Sequence, residues 1–367
     1  MRDPRVEALA SILVRYSTRV GRGDTCVIEG PSAAEPLIAA VYEHVLRAGG
    51  MPIVAMSFDG QPVTYFKHAS DEQLEWISPL SKWAAEEADC RIAIGAERNT
   101  RELSGVDPER QTRRRAATRE LMQKTMQRAA EGEHRWVYTL YPTHAFASDA
   151  EMSLEAFEDF YFRACLADDD DPLTAWERQS EECKRLASWI EGRKEVRVQG
   201  PGTDVTLGIE GRTFIPCYGE HNMPDGEFFT APIEDSVEGE VSFQLPAMLS
   251  GREVSGVKLR FEAGTVVDAS AARGEEFLLS VLDTDDGSRT LGELGIGTNY
   301  GIDRGTLDVL LDEKIGGTVH MAVGASYPES GGKNESAVHY DLVCDLRQGG
   351  SITVDGETMQ QDGRFVV

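Results

Sequence analysis

The chain has 367 residues, with 63 Asp and Glu against 37 Lys and Arg, a formal net charge of −26. That length suggests about two domains of roughly 150 residues each, and 41% hydrophobic with 27% charged residues is the balance of a folded globular protein. So acidic a chain suits neither a nucleic-acid phosphate backbone nor an anionic membrane surface as partner.

The N-terminal segment reads as an amphipathic helix, with Val6, Leu9, Leu13 and Tyr16 on one face, and not as a leader or membrane span. TCVIEG (25–30) is a short β-rich run. A helical stretch follows and ends at the glycine pair 49–50. MPIVAMSF (51–58) is the next strand, then a helical region over 71–88, the strand CRIAIGA (90–96), a charged helix over 112–130 and the strand HRWVYTLYP (134–142). Strands alternating with helices of this length predict βαβ units, and hence a doubly wound α/β domain with a mostly parallel sheet. Helices over 153–165 and 173–191 flank the acidic run DDDD, which reads as a solvated loop.

Near residue 193 the period changes. EVRVQG, DVTLGIEG, GEVSFQLPA, VSGVKLRFEAGTVVDA, GTVHMAVGA and AVHYDLVCD are short alternating or apolar runs broken by Gly, Asp and Pro. They predict a β-rich second domain, so the expected division is 1–192 and 193–367. The second part is also the acidic one: from Glu195 on lie 30 of the 63 acids but only 12 of the 37 basic residues. Six dispersed cysteines without a CxxC pair fit buried thiols in a reducing, cytoplasmic setting.

Four segments of the second part place chemistry in apolar, glycine-flanked surroundings. In NESAVHYDLVCD, His339 and Asp341 are two residues apart in a strand pattern and so share one face, an imidazole–carboxylate half-site for Zn, Mn, Co or Fe. His320 lies inside GTVHMAVGASYP, with Tyr327 at the end of the run; a packed histidine and a packed tyrosine are the bland alternatives. Glu227 in NMPDGEFFTAP and Glu293 in LGELGIG are carboxylates embedded in apolar runs, where a charge needs a cation or hydrogen bonds. A buried ion pair would satisfy either one. Two histidines and three carboxylates together suit a pair of divalent ions of the kind that activates water for hydrolysis. The sequence has no HExxH, Walker A or GxSxG motif.

In this order, NMPDGEFFTAP, LGELGIG, GTVHMAVGASYP and NESAVHYD resemble the signature segments of the thermophilic aminopeptidase T family, also called leucyl aminopeptidases. RWVYTLYPTHAFA, MSLEAFEDFYFRAC and GTDVTLGIEGRTF are similar to the same family. The resemblance implies a homodimeric dinuclear metallopeptidase that removes the N-terminal residue of peptides with a free N-terminus. It implies two divalent ions (Zn, Co or Mn) on Glu227, Glu293, His320, His339 and Asp341, with Tyr327 at the oxyanion. Glu293 is the expected general base; for Asp204 and Arg212, in GTDVTLGIEGR, a simple structural turn is the expectation, with support of the site from the domain junction the alternative. The superfamily also contains ring-cleaving dihydroxypyridine dioxygenases with one Fe(II), which His320, His339 and Asp341 could hold; retention of Glu227 and Glu293 favours hydrolysis.

Overall fold

The computed structural model describes residues 3–249 and 251–367. Two compact units separate: one runs to Trp176 and takes back Gly219–Met223, the other comprises Glu177–Tyr218 and Pro224–Val367. The helix Pro172–Ile190 carries the chain from the first to the second.

In the first unit, β1 (Thr25–Pro31), β2 (Met51–Ser57), β3 (Cys90–Gly95) and β4 (Arg135–Leu140) form a parallel sheet in the order β2-β1-β3-β4. A two-residue strand, Asn222–Met223, adds itself parallel to β4. Parallel neighbours need crossover connections, and helices supply them. The helix Glu35–Arg47 buries Leu37, Ile38, Val41 and Val45 along one stripe and ends where Gly49 turns to φ +84°. The helix Pro108–Ala130 starts at Asp107, whose side chain accepts the Glu109 N–H. Tyr161, fully buried, accepts a hydrogen bond from the Leu140 N–H at 2.8 Å and donates to the Met223 carbonyl at 3.1 Å, tying the returning strand to β4. The region over 71–88 is two short helices, Asp71–Glu75 and Pro79–Glu87, each with a serine N-cap.

The second unit is antiparallel. An eight-stranded sheet is built from segments within residues 195–208, 238–270 and 351–365. A second sheet holds β5 (Ile215–Cys217), β6 (Glu227–Thr230), β7 (Leu291–Gly297), β8 (Thr318–Gly324) and β9 (His339–Asp345), in the order β9-β8-β7-β6-β5. The two sheets share one apolar core, in which Val196, Val198, Val241, Phe243 and Leu259 meet Leu294, Ile296, Val319, Met321 and Leu342. Every residue of β7 and β8 is buried. A parallel sheet with flanking helices followed by antiparallel sheets is the fold class expected from the change of period. Among the described residues, no helix is long and apolar enough to cross a membrane.

Candidate metal centre

The register of the five-stranded sheet brings the chemistry-bearing residues together. Residues directly opposite each other in antiparallel strands point to the same face. Glu293 on β7 and Asp341 on β9 both stand opposite Ala322 of β8; His320 stands opposite Gly295, His339 opposite Gly324, and Glu227 on β6 opposite Gly297. All five therefore project from one face, and each has alanine or glycine as a cross-strand neighbour. The other face carries Leu294, Ile296, Val319 and Met321 into the core. A register shift between Leu291 and Glu293 sets β7 in phase.

The resulting cluster is dry and close. His320 is fully buried, and its Nε2 lies 3.1 Å from Glu293 Oε1 and 3.2 Å from Glu227 Oε2. His339 Nε2 lies 3.3 Å from Glu293 Oε2 and 3.4 Å from Asp341 Oδ1. The His339 Nδ1 is 2.8 Å from the Ala325 carbonyl; an N–H there donates to it and leaves Nε2 facing the carboxylates. Glu293 thus divides its two oxygens between two imidazoles.

Three ligand groups can be drawn within 4.8 Å: Glu227–Glu293–His320, Glu293–His339–Asp341 and Glu313–His320–Asp341. Glu313 was not found in the sequence, and neither was Lys314. Both follow the short helix Val309–Asp312 in the segment LLDEKIGG, where adjacent charges read as a solvated turn. The Lys314 side chain is only 1% exposed, and its ammonium donates to Glu227 Oε1 at 2.6 Å and to Glu313 Oε2 at 2.8 Å. The buried ion pair foreseen as one alternative for Glu227 is therefore present on Oε1, while Oε2 faces His320.

The electrostatics follow from burial and pairing. Burial opposes ionisation of Glu293, but hydrogen bonds from His320 and His339 outweigh it and bring its carboxyl down to about 2. Burial alone would neutralise the imidazoles; Glu227 and Glu293 instead raise His320 to about 10, and Asp341 and Glu293 raise His339 to about 11. Glu313 is pushed up to about 8 by burial, partly offset by the Lys314 charge. The Lys314 ammonium stays charged despite complete burial because Glu227 and Glu313 hold it.

The donor set fits divalent cations. Glu227 Oε2 and Asp341 Oδ1 are buried acceptors without a well-formed hydrogen bond, each facing an imidazole Nε2 at ion-pair distance, 3.2 and 3.4 Å, positions from which either could turn to a cation. Imidazole nitrogen with carboxylate oxygen suits Zn, Co or Mn.

Tyr327 follows β8 with its ring edge-on to His339, 5.2 Å between centroids, and tilted against Phe229 at 5.3 Å. Burial and then the charges of Glu293 and Asp341 push its phenol above the usual range, so the hydroxyl keeps its proton and remains a donor. Asp204 and Arg212 lie outside these groups. Asp204 is paired with Arg197 at 2.7 Å on the eight-stranded sheet, and Arg212 donates to Glu234 and to the Pro232 carbonyl. Beside the cluster opens a cavity of ≈ 150 Å³, walled by Met248, Leu307, Val309 and Val343 and edged by Glu313, His339 and Asp341.

Comparison with known proteins identifies the family of the chain. The family described as "Thermophilic metalloprotease (M29)" matches residues 2–365. Aminopeptidase T of Thermus aquaticus is 28% identical, the alignment covering 98% of this chain and 95% of that protein. The solved wild-type AmpT of Thermus thermophilus superposes with a TM-score of 0.84 at 26% identity, covering 99% of each chain. A 2,5-dihydroxypyridine dioxygenase from Pseudomonas putida superposes with a TM-score of 0.59 at 14% identity over 99% of this chain and 97% of that one, a likeness of fold.

Proposed function

The chain belongs to the thermophilic metalloprotease family and is a metal-dependent aminopeptidase; from that premise we propose that Glu227, Glu293, His320, His339 and Asp341 hold two divalent ions that share Glu293. The observation carrying this reading is the division of Glu293, Oε1 toward His320 at 3.1 Å and Oε2 toward His339 at 3.3 Å. One carboxylate common to two ligand groups is what a pair of ions requires and what a single Fe(II) does not. Two such ions, when bound, lower the pKa of water toward neutrality and polarise a scissile carbonyl.

The chain's own residues supply the rest. In this reading Glu293 is the shared ligand, its two oxygens committed to the two groups. Glu313 takes the base's part. It edges the cavity, and burial raises its carboxyl, which makes its ionised form a stronger proton acceptor than an ordinary carboxylate. In this reading it accepts the proton of the attacking water and returns it to the leaving amine. Tyr327 donates its hydroxyl proton as a hydrogen bond to the developing oxyanion. The apolar walls of the cavity receive the side chain of the N-terminal residue.

A cytoplasmic setting accords with six cysteines all present as free thiols. A homodimer is the assembly implied by the family resemblance, and sedimentation of the purified chain reads it directly. The central experiment is turnover of aminoacyl-arylamides and short peptides after reconstitution with Zn, Co or Mn, with metal content measured by mass spectrometry. Two ions per chain and cleavage confined to substrates with a free amino group are expected. Equal cleavage of N-acetylated substrates would overturn the assignment to peptide N-termini.

A further inference from the structure

Lys314 is not among the residues that wall or edge the cavity. Its ammonium is committed to two carboxylates, at 2.6 Å from Glu227 Oε1 and 2.8 Å from Glu313 Oε2. The main chain fixes it there. The Lys314 N–H donates to the Leu311 carbonyl at 3.1 Å, and the Lys314 carbonyl accepts from the Asn299 N–H at 3.0 Å, while the Asn299 side chain donates to the Asp225 carbonyl two residues before Glu227. The lysine is thus held by the segments that follow β7 and precede β6, the strands carrying Glu293 and Glu227.

This position has an electrostatic consequence. Glu227 gives one oxygen to Lys314 and turns the other toward His320, in the group Glu227–Glu293–His320. A cation bound by that group shares the Glu227 carboxylate with a fixed ammonium a few ångströms away, in surroundings almost without water, where like charges repel strongly. In the group Glu293–His339–Asp341, among the described residues, neither Asp341 nor His339 is itself paired with a lysine or arginine; Lys314 reaches Asp341 only by way of Glu313.

We propose that Lys314 is a resident cation of the centre, positioned to make Glu227–Glu293–His320 the weaker of the two divalent-ion sites. The proposal rests on the two-ion reading given above. It makes the lysine a positioning and charge-setting residue, one that governs how readily an ion exchanges.

The test is a titration of chelator-stripped full-length protein with Co²⁺, followed calorimetrically and by visible absorption, in the native chain and in Lys314→Met and Lys314→Arg. The native chain is expected to bind one tight and one loose ion. Lys314→Met should tighten the loose site at least tenfold, and Lys314→Arg, which keeps the charge, should stay within threefold of native. If the methionine variant folds only when loaded, release of Co²⁺ into a chromogenic chelator replaces the titration, and a tenfold slower second phase is expected. Unchanged or weaker binding in Lys314→Met overturns the proposal, as does equal tightening in Lys314→Arg. A native chain that binds a single ion refutes the two-ion reading instead; the lysine's role then stands if Lys314→Met gains a second ion and falls if it does not.

Discussion

Gly295 stands directly opposite His320 across the β7–β8 ladder, and a methyl group at Gly295 would fall inside the imidazole ring. The glycine is the space in which the histidine lies. Gly295→Ala must therefore displace His320 from Glu227 and Glu293. We expect a folded protein, judged by circular dichroism, with metal affinity lowered about 10–100-fold, the range for disturbing a ligand's orientation. Native metal content in that variant would refute the assignment of His320 as a ligand.

Glu293→Gln removes the charge common to both ligand groups while keeping the shape. Each imidazole then loses its charge-assisted partner, a contribution of about 1.5–3 kcal/mol per hydrogen bond. The expected result is loss of at least one ion per chain by mass spectrometry, with turnover falling in step. Full metal content and full turnover would contradict a shared ligand at this position.

Tyr327→Phe keeps the ring edge-on to His339 and tilted against Phe229 but deletes the donor. A fall in kcat of about 10²–10³-fold is expected, the size seen when one oxyanion donor is removed. KM and metal content should change little. A variant with native kcat would leave Tyr327 a packing residue.

In the metal-free chain the pH dependence follows from the raised imidazoles. His320 and His339 go from an ordinary 6.5 to about 10 and 11, so the folded state binds protons more tightly than the unfolded state. Their stabilisation is complete below pH 6.5 and is lost as pH rises through 10 and 11. Glu293, lowered from 4.5 to about 2, contributes above pH 4.5 and loses its contribution as pH falls toward 2. A metal ion must displace the imidazole protons. The melting temperature of stripped protein should fall from pH 7 to pH 10 while affinity for added Co²⁺ rises. Calorimetry in buffers of different ionisation enthalpy should show proton release on binding; a pH-independent affinity would count against both histidines.

The cavity beside the cluster predicts substrate selection. Val309→Trp, at its wall, should depress kcat/KM for leucyl- and phenylalanyl-arylamides more than for the alanyl compound, because the bulk of the N-terminal side chain is what the cavity accommodates. Equal losses for all three would remove the cavity from substrate binding.

The sequence made much of this site legible because strand geometry converts spacing into direction. His339 and Asp341, two apart in an apolar run, could only share a face. Glu313 and Lys314 gave no such signal. They sit in a turn without a period, and their burial is created by β6, whose contribution lies 87 residues away from Lys314. The charges read as solvent-facing because nothing local distinguishes a paired lysine from a hydrated one. The return of Gly219–Met223 to the first unit was equally hidden, since a two-residue strand has no alternation to detect. Asp204 read as part of a turn, but the strand places it on an outward face with Arg197.

Because β6, β7, β8 and β9 each contribute to one face of a single sheet, the cluster is complete only when all four strands are present and paired. The residues proposed as ligands span Glu227 to Asp341, and the last two are on the strand that closes the sheet at one edge. A ribosome-bound or partly unfolded chain has no way to assemble them. A hydrolase of peptide bonds is thereby kept inert until the strand carrying His339 and Asp341 has been made and paired, a safeguard that arises from strand order.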